Sequence, residues 1–129
     1  MSPVAPEALA RRLVALADSK KAEDPVLLDM RELVAYTDFL VIVTARNERQ
    51  ARAIVDEVRL VVKRESALLP GGIDGGGDAG WTILDYLDVV LHVFTPEARD
   101  RFQLEDLWRD APRLELELDE PEASSAATG

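Results

Sequence analysis

Five consecutive apolar residues, Phe39, Leu40, Val41, Ile42 and Val43, constrain this chain more than any other stretch. Three of the five are β-branched, which suits a pleated strand. A strand turns successive side chains to opposite faces, so one that is apolar at every position needs cover on both. That is the mark of a strand inside a sheet with helices on either side. The remaining sequence must supply that cover.

It does so on both flanks. From Glu7 to Lys21, Leu9, Leu13 and Leu16 recur at helical spacing with Ala17 beside them, which predicts an amphipathic helix. Pro25 prevents any helix from continuing, and Val26–Met30 reads as a short strand. Asn47, with Gln50 three residues on, forms a capping signature. Ile54, Val55, Val58, Val61 and Val62 then trace one face of a second helix running to about Glu65. The stretch "LLPGGIDGGGDAG", residues 68–80, carries six of the seven glycines and is expected to be a mobile loop. It lacks the lysine and the following helix of a phosphate cradle. "WTILD", Trp81–Asp85, and "VVLHVF", Val89–Phe94, read as two strands joined tightly by Tyr86, Leu87 and Asp88. Pro96 suits the first turn of a helix, and a second short helix reaches Trp108. Leu114, Leu116 and Leu118 alternate with acids, a pattern for an edge strand or a loose segment. The order of elements gives an α/β or α+β domain, a mixed sheet flanked by helices, over residues 7–118. Residues 1–6 read as a flexible N-terminal arm and 119–129 as a disordered tail.

Charge narrows the partners. There are 25 acids and 15 bases among 129 residues, a net charge of −10. Nucleic-acid affinity draws on basic side chains that displace phosphate counterions, so direct nucleic-acid binding is not expected. A basic protein partner would be attracted instead. No run approaches the ~20 apolar residues of a membrane span, no signal core opens the chain, and there is no cysteine. A cytoplasmic protein is the expectation.

Asp85, Asp88 and His92 invite a catalytic or metal reading. In a strand, Asp88 and His92 would share a face but stand roughly 13 Å apart, too far to share a metal. His92 is the only histidine and there is no thiolate, so metal ligands are short. The reading preferred here is a half-buried histidine bonded to a neighbour. No serine lies in a nucleophile elbow. Asp29, Asp38, Asp85 and Asp88 fall at strand ends, where paired carboxylates could hold Mg²⁺ for phosphoryl transfer; aspartate also caps turns well, and that use is favoured. Trp81, Tyr86 and Phe102 gather near the hairpin in a chain poor in aromatics. They serve either as interface anchors or as core residues.

At these residues the chain resembles the ribosomal silencing factor family, also called Iojap-related. "DSKKAEDPVLLDMRELVAYTDFLVIVTARNERQARAI" is similar to the family's opening block and "WTILDYLDVVLHVFTPEARDRFQLEDLW" to its closing block; together they span about residues 8–112. Leu87 stands where the family usually has glycine. The resemblance implies a nucleotidyltransferase-like core without enzyme activity, cofactor or metal. It implies binding to the large ribosomal subunit through its basic protein number fourteen, which blocks subunit joining and silences translation under nutrient limitation. Carried over by position, Trp81, Tyr86 and Phe102 would be apolar anchors, and Asp85 and Asp88 would face basic groups. His92 and Trp108 match the pattern as structural or interface residues. The alternatives are a nucleotidyltransferase-like enzyme using the strand-end aspartates with Mg²⁺, or an adaptor; a homodimer is compatible with the sequence.

Overall fold

A computed structural model describes residues 5–75 and 80–116 of the chain. Most of the expected N-terminal arm, the glycines between 76 and 79, Leu118 and the expected tail lie outside the described residues. In order along the chain come α1 (Pro6–Ser19), β1 (Glu23–Asp29), β2 (Phe39–Thr44), α2 (Glu48–Ser66), β3 (Gly72–Gly75), β4 (Trp81–Asp85), β5 (Val89–Phe94), α3 (Pro96–Phe102) and α4 (Leu104–Leu107). The five strands form one mixed sheet in the order β1-β2-β5-β4-β3. β2 and β5 run parallel, and every other pairing is antiparallel.

Every residue of β2 is buried, and its alternation divides the core in two. Phe39, Val41 and Val43 join the layer under α1 and α2, together with Leu13, Ile54, Val58, Leu84, Leu91 and Val93. Leu40 and Ile42 join the layer under α3 and α4, with Leu28, Met30, Phe94, Ala98 and Leu104. The cover that "FLVIV" requires is therefore present on both faces.

Element ends follow local chemistry. Pro6 occupies the first turn of α1, where its missing N–H costs nothing. The helix therefore starts one residue inside the expected arm. It stops at Ser19, short of the expected Lys21, whose φ of 68° leaves the helical region. Asn47 caps α2 by accepting from the Gln50 N–H at 2.9 Å, and the Gln50 carboxamide reaches back to the Arg46 N–H. Its amide also donates to the carbonyls of Lys20 and Lys21 at 3.0 and 2.9 Å, tying the end of α1 to the start of α2.

One expectation needs correction. The glycine-rich stretch is not wholly loop: Gly72–Gly75 pairs antiparallel with β4 as an edge strand. Strand pairing needs only backbone N–H and C=O groups, which glycine supplies. Of the two readings left open for the alternating leucines, the described residues 114–116 take the loose one. Arg113 makes a single bridge to Leu28, and the Leu114 N–H donates to Leu27 at 2.8 Å. Leu114 and Leu116 instead pack against the α1–α2 layer.

Candidate functional site: a half-open strip on the sheet

The β4–β5 hairpin has the limits the sequence set for it, with Tyr86, Leu87 and Asp88 as the turn. Register pairs Trp81 with Phe94, Ile83 with His92 and Asp85 with Val90. All six residues lie on the α3–α4 side of the sheet. Those helices cover β1, β2 and Phe94 but stop short of the rest. Trp81, Ile83, Asp85 and Val90 are left half-buried. Phe102, at the end of α3, borders this strip and is 41% exposed.

The strip is held from beneath by stacked rings. Trp81 lies 5.0 Å from Phe94 and 4.6 Å from Phe102, centroid to centroid, and 5.8 Å from His92. The Trp81 indole N–H donates to His92 Nδ1 at 3.0 Å. His92 must therefore carry its proton on Nε2 when neutral. Burial pushes the His92 pKa down to about 4 from the usual 6.5, so the ring is neutral near pH 7 and free to accept. His92 thus bonds a neighbour, as its setting in the strand suggested. Its partner is Trp81, eleven residues back along the chain.

Gly80 sets the start of β4. Its φ is 69°, and a Cβ there would come within 2.5 Å of Thr95 Oγ1. That hydroxyl caps α3 by accepting from the Ala98 N–H, so Gly80 lets the Trp81 strand and the Phe102 helix start side by side. Arg99 fastens the same helix. It donates to the Asp24 carbonyl at 2.6 Å and to Thr44 Oγ1 at 2.8 Å. It also pairs with Glu105 at 2.6 Å in a half-buried ion pair. Burial pushes the Glu105 carboxyl up, but the Arg99 hydrogen bonds and charge outweigh it and hold the pKa below its ordinary value.

Tyr86 is a correction. It does not stand beside Trp81 as a surface anchor. Alternation turns Thr82, Leu84 and Tyr86 to the α1–α2 face, where Tyr86 is 7% exposed within the larger core. Its hydroxyl is buried with no hydrogen-bond partner among the described residues. Burial raises its pKa. The parity of 81 and 86 contains this signal, and it outranks the clustering of aromatics along the chain. Ile83 and Val90 join the exposed strip on the same parity, although their apolar character alone reads as core.

The aspartates divide by use. Asp85 Oδ1 accepts from the Leu87 N–H at 2.7 Å, closing the turn. Leu87 there has φ of 73°, the left-handed conformation that glycine adopts most readily. The Asp88 carbonyl accepts from the N–H groups of Asp38 and Phe39 at 2.9 and 3.1 Å, joining the hairpin turn to the start of β2, and its side chain is exposed. Asp29 chelates Arg31 at 3.0 and 2.8 Å, which draws its pKa down. Trp108 follows α4 and packs against the α3–α4 layer, half-buried. Among the described residues, no three acidic or histidine side chains converge so as to hold a metal ion. No helix there is long and apolar enough to cross a membrane.

The described residues thus form a mixed-sheet domain with an aromatic and acidic strip left half-open on one face. Comparison with known proteins identifies its family. A family model described as ribosomal silencing factor during starvation matches residues 3–129, and the chain belongs to that family. It is 38% identical over 100 residues to ribosomal silencing factor RsfS of Halalkalibacterium halodurans, covering 78% of this chain and 85% of that one. It is 34% identical to the Bacillus subtilis protein of the same name, covering 81% and 87%. It is also 34% identical to the chloroplastic Iojap protein of Zea mays, of which it spans 46%. A crystal structure from Bacillus halodurans superposes with a TM-score of 0.74 at 34% identity, covering 85% of this chain and 99% of that one. One from Chromobacterium violaceum gives 0.78 at 22% identity, covering 95% and 100%, and supports the fold.

Proposed function

We propose that this protein is a cytoplasmic, non-catalytic repressor of translation that docks on the large ribosomal subunit and sterically blocks subunit joining. Its contact there is the basic ribosomal protein fourteen. The observation that carries this reading is family membership across nearly the whole chain. The strip adds a physical means. Trp81 and Phe102 offer aromatic area of the kind that dominates interface energetics. Asp85 and Asp88 set negative charge beside it, and the chain's net charge of −10 steers it toward a basic partner.

The Mg²⁺-dependent enzyme reading finds less support. Asp29 is engaged by Arg31 and Asp85 by the turn N–H, so two of its four carboxylates already have structural uses. One experiment separates the readings. Purified protein is mixed with large and small subunits and sedimented. Silencing requires co-migration with the large subunit and fewer joined ribosomes, with binding that weakens as salt rises. Free sedimentation of the protein, together with a nucleotide-dependent rise in melting temperature, would favour the enzyme.

A further inference from the structure

We propose that the end of the sheet carrying Tyr36 and Leu87 is a second docking surface for the same basic protein partner. The proposal rests on the silencing reading above and extends its contact beyond the Trp81 strip.

The observation begins with Leu87. A leucine at φ of 73° is strained, because Cβ crowds the backbone in the left-handed region. The tight turn imposes this conformation, but nothing in the fold calls for a large apolar side chain in it: the Leu87 side chain is 70% exposed and belongs to neither core layer, and a strained residue kept without a packing reason points toward function. The turn itself is closed by backbone groups and by Asp85, through the Leu87 N–H, which a glycine would supply equally well.

Leu87 is not alone at that end. The Asp88 carbonyl binds the N–H groups of Asp38 and Phe39, bringing the segment before β2 against the turn. That segment exposes Tyr36, at 67%, and Leu33. Large apolar side chains from two separate segments are thus presented at one end of the sheet. Around them, residues 29–38 and 85–88 hold five acids (Asp29, Glu32, Asp38, Asp85, Asp88) and one base, Arg31. Arg31 is chelated by Asp29, so the end as a whole is negative. Apolar anchors inside an acidic rim fit a protein surface on which apolar side chains stand among lysines and arginines. They do not fit a phosphate backbone.

The test uses the full chain and purified large ribosomal subunits, with melting temperature measured in parallel. Leu87→Gly should raise the melting temperature by a few degrees, since strain is relieved, and weaken subunit binding about tenfold or more. Tyr36→Ala should weaken binding similarly and leave melting unchanged. Leu60→Ala, an exposed leucine on α2, should change neither. Opposite signs for stability and binding in Leu87→Gly are an outcome that misfolding cannot produce. If wild-type protein binds but Leu87→Gly and Tyr36→Ala bind as tightly, this inference fails and the silencing reading stands. If they alter only self-association in sedimentation equilibrium, the occupant is a second copy and the inference is wrong. If wild-type protein does not bind large subunits at all, both readings fall.

Discussion

One hairpin builds parts of both faces of the sheet, and the two faces are finished differently. Under α1 and α2, Leu84, Tyr86, Leu91 and Val93 are sealed into the larger core. On the other side, Trp81, Ile83, Asp85 and Val90 are left half-covered because α3 and α4 reach only as far as Phe94. Helix length accounts for the difference. α1 and α2 are 14 and 19 residues long, whereas α3 and α4 are 7 and 4. Short helices leave sheet exposed, and an exposed sheet face with aromatic residues marks a place for a partner. Under the proposed function, stability and docking fall to opposite sides of the same strands.

The largest test of this division lies on the closed face. Leu91→Ala should cost about 3 kcal/mol of stability, as buried leucine truncations do. A denaturant titration reads it, and a loss well under 1 kcal/mol would mean that face is not the sealed one.

Next in size is pH. His92 has a folded pKa near 4 against an ordinary 6.5. A histidine depressed in this way contributes stability that is intact above pH 6.5. It is lost as pH falls toward 4, because the unfolded chain takes up the proton first. The difference is about 3 kcal/mol at most. Unfolding midpoints between pH 7 and 4 should fall in wild type and fall less in His92→Gln. Protonation also places a hydrogen on Nδ1 and removes the acceptor for Trp81, so the indole fluorescence should change with the same midpoint.

Phe102→Ala comes third. It should weaken large-subunit binding by about 1–2 kcal/mol as an interface aromatic, with a smaller effect on folding because Phe102 is already 41% exposed. The smallest effect is Tyr86→Phe. Its hydroxyl is buried without a partner among the described residues, so removing it should leave stability unchanged or raise it by up to about 1 kcal/mol. Tyr86→Ala is a poorer probe, because it would open a cavity and confuse stability with binding.

Much of this was legible in the sequence, for physical reasons that can be named. "FLVIV" required two-sided cover, and both layers exist. Asn47 and Gln50 announced α2, and the turn at Tyr86–Asp88 came from two apolar runs with a short break. β3 was hidden because its pairing uses backbone alone and leaves no apolar pattern in a glycine-rich stretch. The site was harder. Clustering along the chain put Trp81 and Tyr86 together, whereas period-two alternation sends them to opposite faces. Ile83 and Val90 look like core residues in any local pattern. Only the reach of α3 and α4, a tertiary property, leaves them uncovered.

The most direct measurement compares Trp81→Ala with Tyr86→Phe in one binding isotherm against large ribosomal subunits, with both variants shown to be folded. If docking belongs to the half-open face, Trp81→Ala loses about 2 kcal/mol of affinity and Tyr86→Phe binds like wild type. Undiminished binding by folded Trp81→Ala, with a loss in Tyr86→Phe, would contradict the assignment.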